Sequence, residues 1–220
     1  MKIVKAFILG LFLLLLVQPA AAQFNLGVMG GINKSNLSGD APSKAKYTSR
    51  NGFAGGVFVD VNIARDVFLS FQPMFMQKGT TIAVDVPGER DPKDSLNVNL
   101  NYISLPLMVK VISGNGKTYV TGGLDVGFRQ GATVKTINGA GSEQDIQESI
   151  QQVDIAVNFG LGIMIPLGTP KLIFELRYVQ GLADISNIKA EPEGESLPPQ
   201  FKTGGFQLFT GLMIPVGKKN

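Results

Sequence analysis

Residues 172–182 read Leu-Ile-Phe-Glu-Leu-Arg-Tyr-Val-Gln-Gly-Leu. The side chains alternate with a period of two, which predicts a β-strand whose two faces meet different surroundings. The charged face either meets water outside a soluble protein or lines the closed interior of a barrel whose outside is lipid. One face carries Leu172, Phe174, Leu176 and Tyr178, and the other carries Glu175, Arg177 and Gly181.

The first 22 residues predict a secretory signal peptide. Lys2 and Lys5 form a basic start, residues 6–17 form an apolar run, and Ala20-Ala21-Ala22 forms a small-residue cleavage box. The run is shorter than the roughly 20 residues that a spanning helix needs. An uncleaved N-terminal anchor is the alternative. We therefore divide the chain into a signal peptide, residues 1–22, and one folded domain, residues 23–220.

The composition excludes several kinds of chemistry. The chain contains no Cys and no His, which excludes disulfides, thiolate nucleophiles and Ser-His triads and removes the commonest metal ligand. Without Lys2 and Lys5, the chain has 18 basic and 17 acidic side chains. This net charge gives no argument for nucleic-acid binding. We expect no enzymatic activity, no cofactor, no metal and no nucleic-acid partner.

The region after residue 22 repeats a pattern of one strand followed by one connection. The connections alternate in length, which is typical of an eight-stranded antiparallel up-and-down transmembrane β-barrel with long extracellular loops and short periplasmic turns. The predicted strands are residues 24–33, 52–62, 67–78, 101–110, 118–129, 153–165, 172–182 and 204–216. The long connections are 34–51, 79–96, 130–150 and 183–203, and the short ones are 63–66, 113–116 and 166–170.

The two faces of these strands differ in size as well as in polarity. Because the lumen of an eight-stranded barrel is just wide enough for side chains to fill, the face with small residues is predicted to point inward and the bulky apolar face toward lipid. The inward charges are predicted to form a salt-bridged structural network, since buried charges need partners. A gated path for protons or small ions is the alternative. The predicted network is Lys110, Asp125, Arg129, Asp154, Glu175 and Arg177.

Three local features qualify this pattern. Pro73 and Pro106 lie inside predicted strands, where each is expected to mark a bulge or bend. Asn97, Asn99 and Asn101 fall on the apolar side of their strand, so that end either projects beyond the apolar zone or contains a bulge. Residues 142–148 have a weak helical pattern.

Several motifs together resemble a known family of outer-membrane barrels. It is the Bacteroidetes-type outer membrane β-barrel family, also called the PorT or porin-family type, which has an eight-stranded barrel similar to OmpX and OmpA. The resemblance implies an outer-membrane location and, through its named member, a link to type IX protein secretion. Met74 and the non-aromatic end, residues 217–220, depart from the family pattern. The motifs are Gln72-Pro73, Gln77-Lys78-Gly79, residues 101–106 with Lys110, Asp154 with Gly160-Leu161-Gly162, and residues 176–182.

These observations predict that residues 23–220 form a small integral outer-membrane barrel domain that is non-enzymatic and has no open general-diffusion pore. We expect a monomer in outer-membrane lipid, with a scaffold, adhesion or secretion-assembly role and with other envelope or secretion proteins as candidate partners. A narrow porin or small-ion path is one alternative, and a soluble periplasmic ligand-binding barrel is another. We interpret the acidic side chains of the second long loop as solvated charge. They are Asp85, Glu89, Asp91 and Asp94.

Overall fold

The computed structural model describes residues 24–39, 45–84, 95–136, 143–186 and 201–216. Most of these residues form antiparallel β-strands. Within these ranges, no helix has the length and apolar character needed to cross a membrane. The predicted signal peptide, residues 1–22, and the acidic residues of the second long loop lie outside the described residues.

The described part of the chain contains eleven strands and one 3-10 turn, Gln147–Ser149. The strands are β1 Phe24–Gly39, β2 Ala45–Ala64, β3 Val67–Phe71, β4 Met74–Val84, β5 Ser95–Ser104, β6 Leu107–Ile112, β7 Thr118–Thr136, β8 Gln144–Asp145, β9 Val153–Pro166, β10 Lys171–Gly181 and β11 Phe201–Val216. They form eight barrel strands, because β3 with β4 and β5 with β6 are each one strand interrupted at a proline, and β8 is a short addition that pairs with β7.

The strand pairing forms a ring. Each barrel strand pairs with its neighbours along the chain, and β1 pairs with β2 on one side and with β11 on the other. The β1–β11 ladder runs from the pair Phe24 and Val216 to the pair Gly39 and Phe201. All pairs are antiparallel. The predicted fold, an eight-stranded antiparallel up-and-down barrel, is confirmed.

The interruptions at Pro73 and Pro106 lie on neighbouring strands, as predicted. Proline has no N–H to give to a ladder, so regular pairing stops there. Carbonyl groups still accept across the gap: Val57 N–H donates to Pro73 O at 3.1 Å, and Gln72 N–H donates to Pro106 O at 3.0 Å. The ring is therefore held through the interruptions by isolated hydrogen bonds.

The strands reach farther toward the loop end than the sequence predicts. The first long connection was predicted for residues 34–51, but β1 continues to Gly39 and β2 already begins at Ala45. Similarly, β4 continues to Val84 and β7 to Thr136. The weak helical pattern at 142–148 corresponds to β8 and a 3-10 turn. Ladder hydrogen bonds do not depend on lipid, so pairing continues where the apolar outer face ends.

The bulky apolar face points outward, as predicted. Leu176 is 52% exposed, while its neighbour Arg177 is 0% exposed. Exposed aromatic residues lie near the loop-side limit of this apolar band, a position typical of membrane interfaces. They are Phe53, Phe75, Tyr178 and Phe206.

Two inward glycines make room for large rings. A Cβ atom at Gly27 would overlap the ring of Phe58, and one at Gly162 would overlap the ring of Tyr119. Both rings are buried in the barrel interior. Small residues on the inner face thus provide the space that the interior aromatic side chains fill.

Candidate functional site

The barrel interior is filled by two apolar clusters and by a set of buried polar side chains. The turn-end cluster reaches the short turns through Met164, Ile173 and Met213. The loop-end cluster includes residues from the last long connections, Ile150 and Ile185. Other members of the turn-end cluster are Met29, Ala54, Phe58, Met74, Met76, Tyr119 and Phe209. Other members of the loop-end cluster are Leu37, Val98, Leu100, Tyr102 and Ala132.

A first group of polar side chains joins β6, β2 and β3. Lys110 Nζ donates to Asp60 Oδ2 at 2.6 Å, and Ser70 Oγ donates to Asp60 Oδ1 at 2.5 Å. Gln72 Nε2 in turn donates to Ser70 Oγ at 2.9 Å. The Lys110 ammonium also lies 4.9 Å from the centre of the Phe58 ring, a favourable cation–π position. Every member is buried, so this charge is compensated inside the barrel.

Arg177 connects this group to the opposite side of the barrel. Its Nη2 atom donates to Gln72 Oε1 at 2.7 Å and to Glu175 Oε1 at 2.6 Å. Tyr119 Oη donates to the other carboxylate oxygen, Glu175 Oε2, at 2.9 Å. One chain of hydrogen bonds therefore crosses the lumen from Gln72, next to β3, to Arg177 on β10. It then returns to Tyr119 on β7, whose ring lies 5.0 Å from the Lys110 ammonium.

A second polar group lies nearer the loop end. Lys78 Nζ donates to Asp154 Oδ2 at 2.8 Å, and Thr203 Oγ1 donates to the same oxygen at 2.8 Å. The Lys78 ammonium lies 5.1 Å from the centre of the Tyr102 ring. Asp125 is also buried, but its partner is a hydroxyl: Ser104 Oγ donates to Asp125 Oδ2 at 3.1 Å.

Five of the six predicted network residues are buried in the barrel interior, and they are of three kinds. Glu175, Arg177 and Lys110 belong to the first chain of hydrogen bonds, and Asp154 belongs to the second group. Asp125 is inside but makes no ion pair within the described residues.

Arg129 differs from the prediction because it makes no ion pair with any described acid. Its side chain is only partly buried, and its Nε atom donates to the backbone oxygen of Gln151 at 3.4 Å. Arg129 of β7 pairs with Tyr102 of β5, but the next pair toward the loops is Gly131 with Asn101. The ladder therefore contains a bulge immediately after Arg129. This bulge lies at the loop side of the barrel, where Arg129 meets the chain before β9 rather than the central charges.

Asp60 and Lys78 complete the two groups and were not among the predicted residues. Both lie on the inward side of their strands by the same alternation that identified Glu175. The strand pattern therefore contained the signal for their orientation. The partners are not evident from sequence, since Lys78 and Asp154 are 76 positions apart.

The lumen is also closed by contacts between strands that are not neighbours in the ring. Asn33 Nδ2 on β1 donates to Gln77 O on β4 at 2.7 Å. Ser35 Oγ accepts from Gly79 N–H at 2.8 Å and lies 2.9 Å from Gly79 O. Gly79 has a φ of 155°, which favours glycine at this close approach. At this level β1 and β4 are bound directly to each other across the interior.

The loop end is covered by the segments that precede β9 and follow β10. Gln151 N–H donates to Ile185 O at 2.8 Å, and Ile185 N–H donates to Phe201 O at 3.0 Å. Ile146 N–H donates to Ala132 O at 3.0 Å. These bonds hold Ile150 and Ile185 in the loop-end cluster. The described parts of both long connections therefore fold over the barrel mouth.

The interior shows no arrangement typical of a catalytic or metal centre in the part of the chain that is described. No group of three or more acidic, His or Cys side chains is placed to hold a metal ion there. Some buried polar atoms have no hydrogen-bond partner within the described ranges, and several of them belong to the residues of the two polar groups. They include Asp125 Oδ1, Asp154 Oδ1, Asn158 Oδ1, Arg177 Nη1 and Tyr102 Oη.

Comparisons with known proteins give one family match and several distant structural similarities. The family model described as an outer membrane protein beta-barrel domain matches residues 18–187. The attachment invasion locus protein Ail of Yersinia pestis is 13% identical, with a TM-score of 0.46, over 88% of this chain and 99% of that chain. OprG of Pseudomonas aeruginosa is 14% identical, with a TM-score of 0.46, over 90% and 97%. Neisserial surface protein A is 12% identical, with a TM-score of 0.45, over 88% and 98%. No curated protein matches the sequence.

Proposed function

Because the chain belongs to the outer membrane protein β-barrel family, we propose that it is a closed, non-enzymatic barrel that serves as a scaffold for adhesion or secretion assembly. The family places the protein in the outer membrane. The observation that supports a scaffold over a channel is the filled lumen, in which the Arg177–Glu175 pair is fully buried.

Closure has three independent physical causes. Apolar side chains fill both ends of the barrel. A chain of ion pairs and hydrogen bonds crosses its middle, and β1 is bound to β4 inside the lumen. An eight-stranded barrel has little more room than such side chains occupy. A hydrated path for sugars would require all three obstacles to move together.

Liposome swelling tests the closed state directly. We expect no swelling response to small sugars when the wild-type protein is reconstituted, with a general-diffusion porin as the positive control. Heat-modifiable migration on a gel must show that the reconstituted barrel is folded. Swelling comparable to that of the porin would refute a closed scaffold.

A secretion-assembly role forms the finer part of the proposal. It is supported by the resemblance to PorT-type barrels through residues 176–182, whose Arg177 holds the lumen network together. Crosslinking in intact outer membranes followed by affinity purification tests this role. We expect specific envelope or secretion proteins to co-purify with the folded protein. Recovery of the same proteins with an unrelated eight-stranded barrel would contradict it.

A gated path for protons or small ions is a second candidate. It is favoured by one observation: Arg177 Nη1 has no hydrogen-bond partner in the part of the chain that the structure describes, although Arg177 lies in a chain that contains both Glu175 and Asp60. A guanidinium that exchanges acidic partners would open and close such a path.

Conductance across a planar bilayer separates this candidate from the closed scaffold. If the path exists, Glu175→Ala should change the conductance, whereas Glu143→Ala, which alters an exposed acid near β8, should not. Absence of conductance in the wild type and in Glu175→Ala would eliminate the path.

A further inference from the structure

The outer face of the barrel changes character abruptly on β4, β5 and β7. Phe75, Ile103 and Phe128 pair side by side across these strands and form the last apolar row. The next three rows toward the loops form a surface that we call the polar grid. Its rows are Gln77, Asn101 and Gly131; Gly79, Asn99 and Thr133; and Thr81, Asn97 and Lys135.

The polar grid points away from the barrel interior. Val98, Leu100 and Tyr102 are buried in the loop-end cluster, so the residues that alternate with them face outward. Ala132 is buried in the same cluster, which turns Thr133 outward by the same alternation. The grid is therefore a continuation of the lipid-facing surface rather than part of the lumen.

Two amides in the grid are free and accessible. Asn97 Oδ1 accepts from Thr81 Oγ1 at 2.7 Å. Within the described residues, the side-chain amides of Asn99 and Asn101 have no partner. Gly131 pairs with Asn101, and a Cβ atom at Gly131 would meet only Asn101 Nδ2, at 3.8 Å. The missing side chain leaves a shallow notch beside the Asn101 amide.

Strand formation does not explain this composition. Asn and Gly are both depleted in strands, where Thr, Val, Ile and aromatic residues are favoured. Three Asn residues at alternate positions, with Gly131 beside Asn101, weaken the sheet locally. They make chemical sense on a surface that forms hydrogen bonds to a ligand, because each amide offers two donors and an acceptor.

The position of the grid identifies the ligand chemistry. The apolar row at Ile103 lies against acyl chains, so the next rows lie at the depth of the lipid headgroups. In the outer leaflet of an outer membrane these headgroups are saccharides, whose hydroxyls both donate and accept. We propose that the polar grid binds, through Asn99 and Asn101, the saccharide units attached to the acylated disaccharide of an outer-leaflet glycolipid. Lys135, in the row farthest from lipid, faces acidic groups on that saccharide.

Binding of lipopolysaccharide in nanodiscs tests the proposal with two different variants. Asn99→Val/Asn101→Val removes the amides and keeps strand propensity, while Gly131→Val fills the notch and keeps the amides. We expect the double variant to weaken binding about tenfold, as the loss of two hydrogen bonds implies. Gly131→Val should also weaken binding, because its side chain blocks access to the Asn101 amide. Heat-modifiable migration must be unchanged in both. Unaltered binding in both variants would overturn the proposal.

Controls define the site and the ligand source. Asn51→Val alters another exposed Asn with no side-chain hydrogen bond among the described residues, on β2 outside the grid, and should leave binding unchanged. A glycolipid truncated to its acylated disaccharide should bind the wild type about as weakly as full lipopolysaccharide binds the double variant. Equal binding of full and truncated glycolipids, equal loss with Asn51→Val, or tighter binding of a free oligosaccharide would each refute the assignment.

Discussion

The barrel strand formed by β5 and β6 has two regions in which the polarity of the two faces is reversed. Near the loops, Asn99 faces outward and Leu100 faces inward. Nearer the turns, Leu107 faces outward, 48% exposed, and Lys110 faces inward, 1% exposed. The alternation of side chains continues, yet the apolar face changes sides beside Tyr102 and Ile103.

This reversal shows that the surroundings of the strand decide which face is apolar. Where the outside is aqueous, apolar side chains gain by leaving water and collect inside, as in a soluble protein. Where the outside is lipid, apolar side chains outside cost nothing, and the interior can hold ion pairs as long as each charge has a partner. The two regions should therefore respond to mutation in opposite ways.

Arg177→Met should produce the largest effect, in the membrane region. It leaves Glu175 buried without its cation, and we expect the free energy of unfolding to fall by about 3 to 5 kcal/mol. Urea unfolding in lipid vesicles, followed by gel migration, measures this change. Arg177→Met/Glu175→Gln should recover most of the loss, because both charges are then absent. No recovery would show that the packing of Arg177, rather than its charge, stabilises the barrel.

Leu100→Ala should produce the next largest effect, in the loop-side region. Leu100 is fully buried in the loop-end cluster, so its truncation leaves a cavity and should cost about 3 kcal/mol. The matched variant is Leu107→Ala on the same barrel strand, where lipid fills the space and the cost should stay below about 1 kcal/mol. Equal losses in the same unfolding assay would contradict the reversal.

Leu176→Arg should produce a smaller loss, of about 2 kcal/mol, because it places a charge against lipid. Asn51→Arg makes the same change in charge on the outward, exposed surface of β2 beyond the apolar band. It should change stability by less than about 0.5 kcal/mol. Similar destabilisation by the two substitutions would mean that the boundary between lipid and water lies nearer the loops than the aromatic residues indicate.

The reversal also explains how far the sequence alone could predict the fold. The alternation in residues 172–182 correctly predicted that Glu175 and Arg177 point into the barrel. The alternation of long and short connections correctly predicted eight strands. The same reasoning misassigned the loop-side strand ends, because it expected the apolar face to remain on one side. Asn97 and Asn99 marked that change in the sequence, but their meaning depends on where the membrane ends.

Prediction of the interior network had a different limit. Alternation gives the face of each residue but not its height in the lumen or its neighbours across it. Asp60 and Lys78 therefore lay on the correct face without being recognised as partners of Lys110 and Asp154. Arg129 lies on the inner side of its strand, but the adjacent bulge and its height near the mouth separate it from the central charges.

The ladder between β1 and β11 has a consequence for the time course of folding. It joins the two strands that are farthest apart in sequence, from Phe24 with Val216 to Gly39 with Phe201. Bringing such distant segments together costs chain entropy before any of the ladder forms, which makes non-local pairing slow. Closure of the ring should therefore limit the rate of assembly. Until it occurs, β1 and β11 are each available to pair with the strand of another chain.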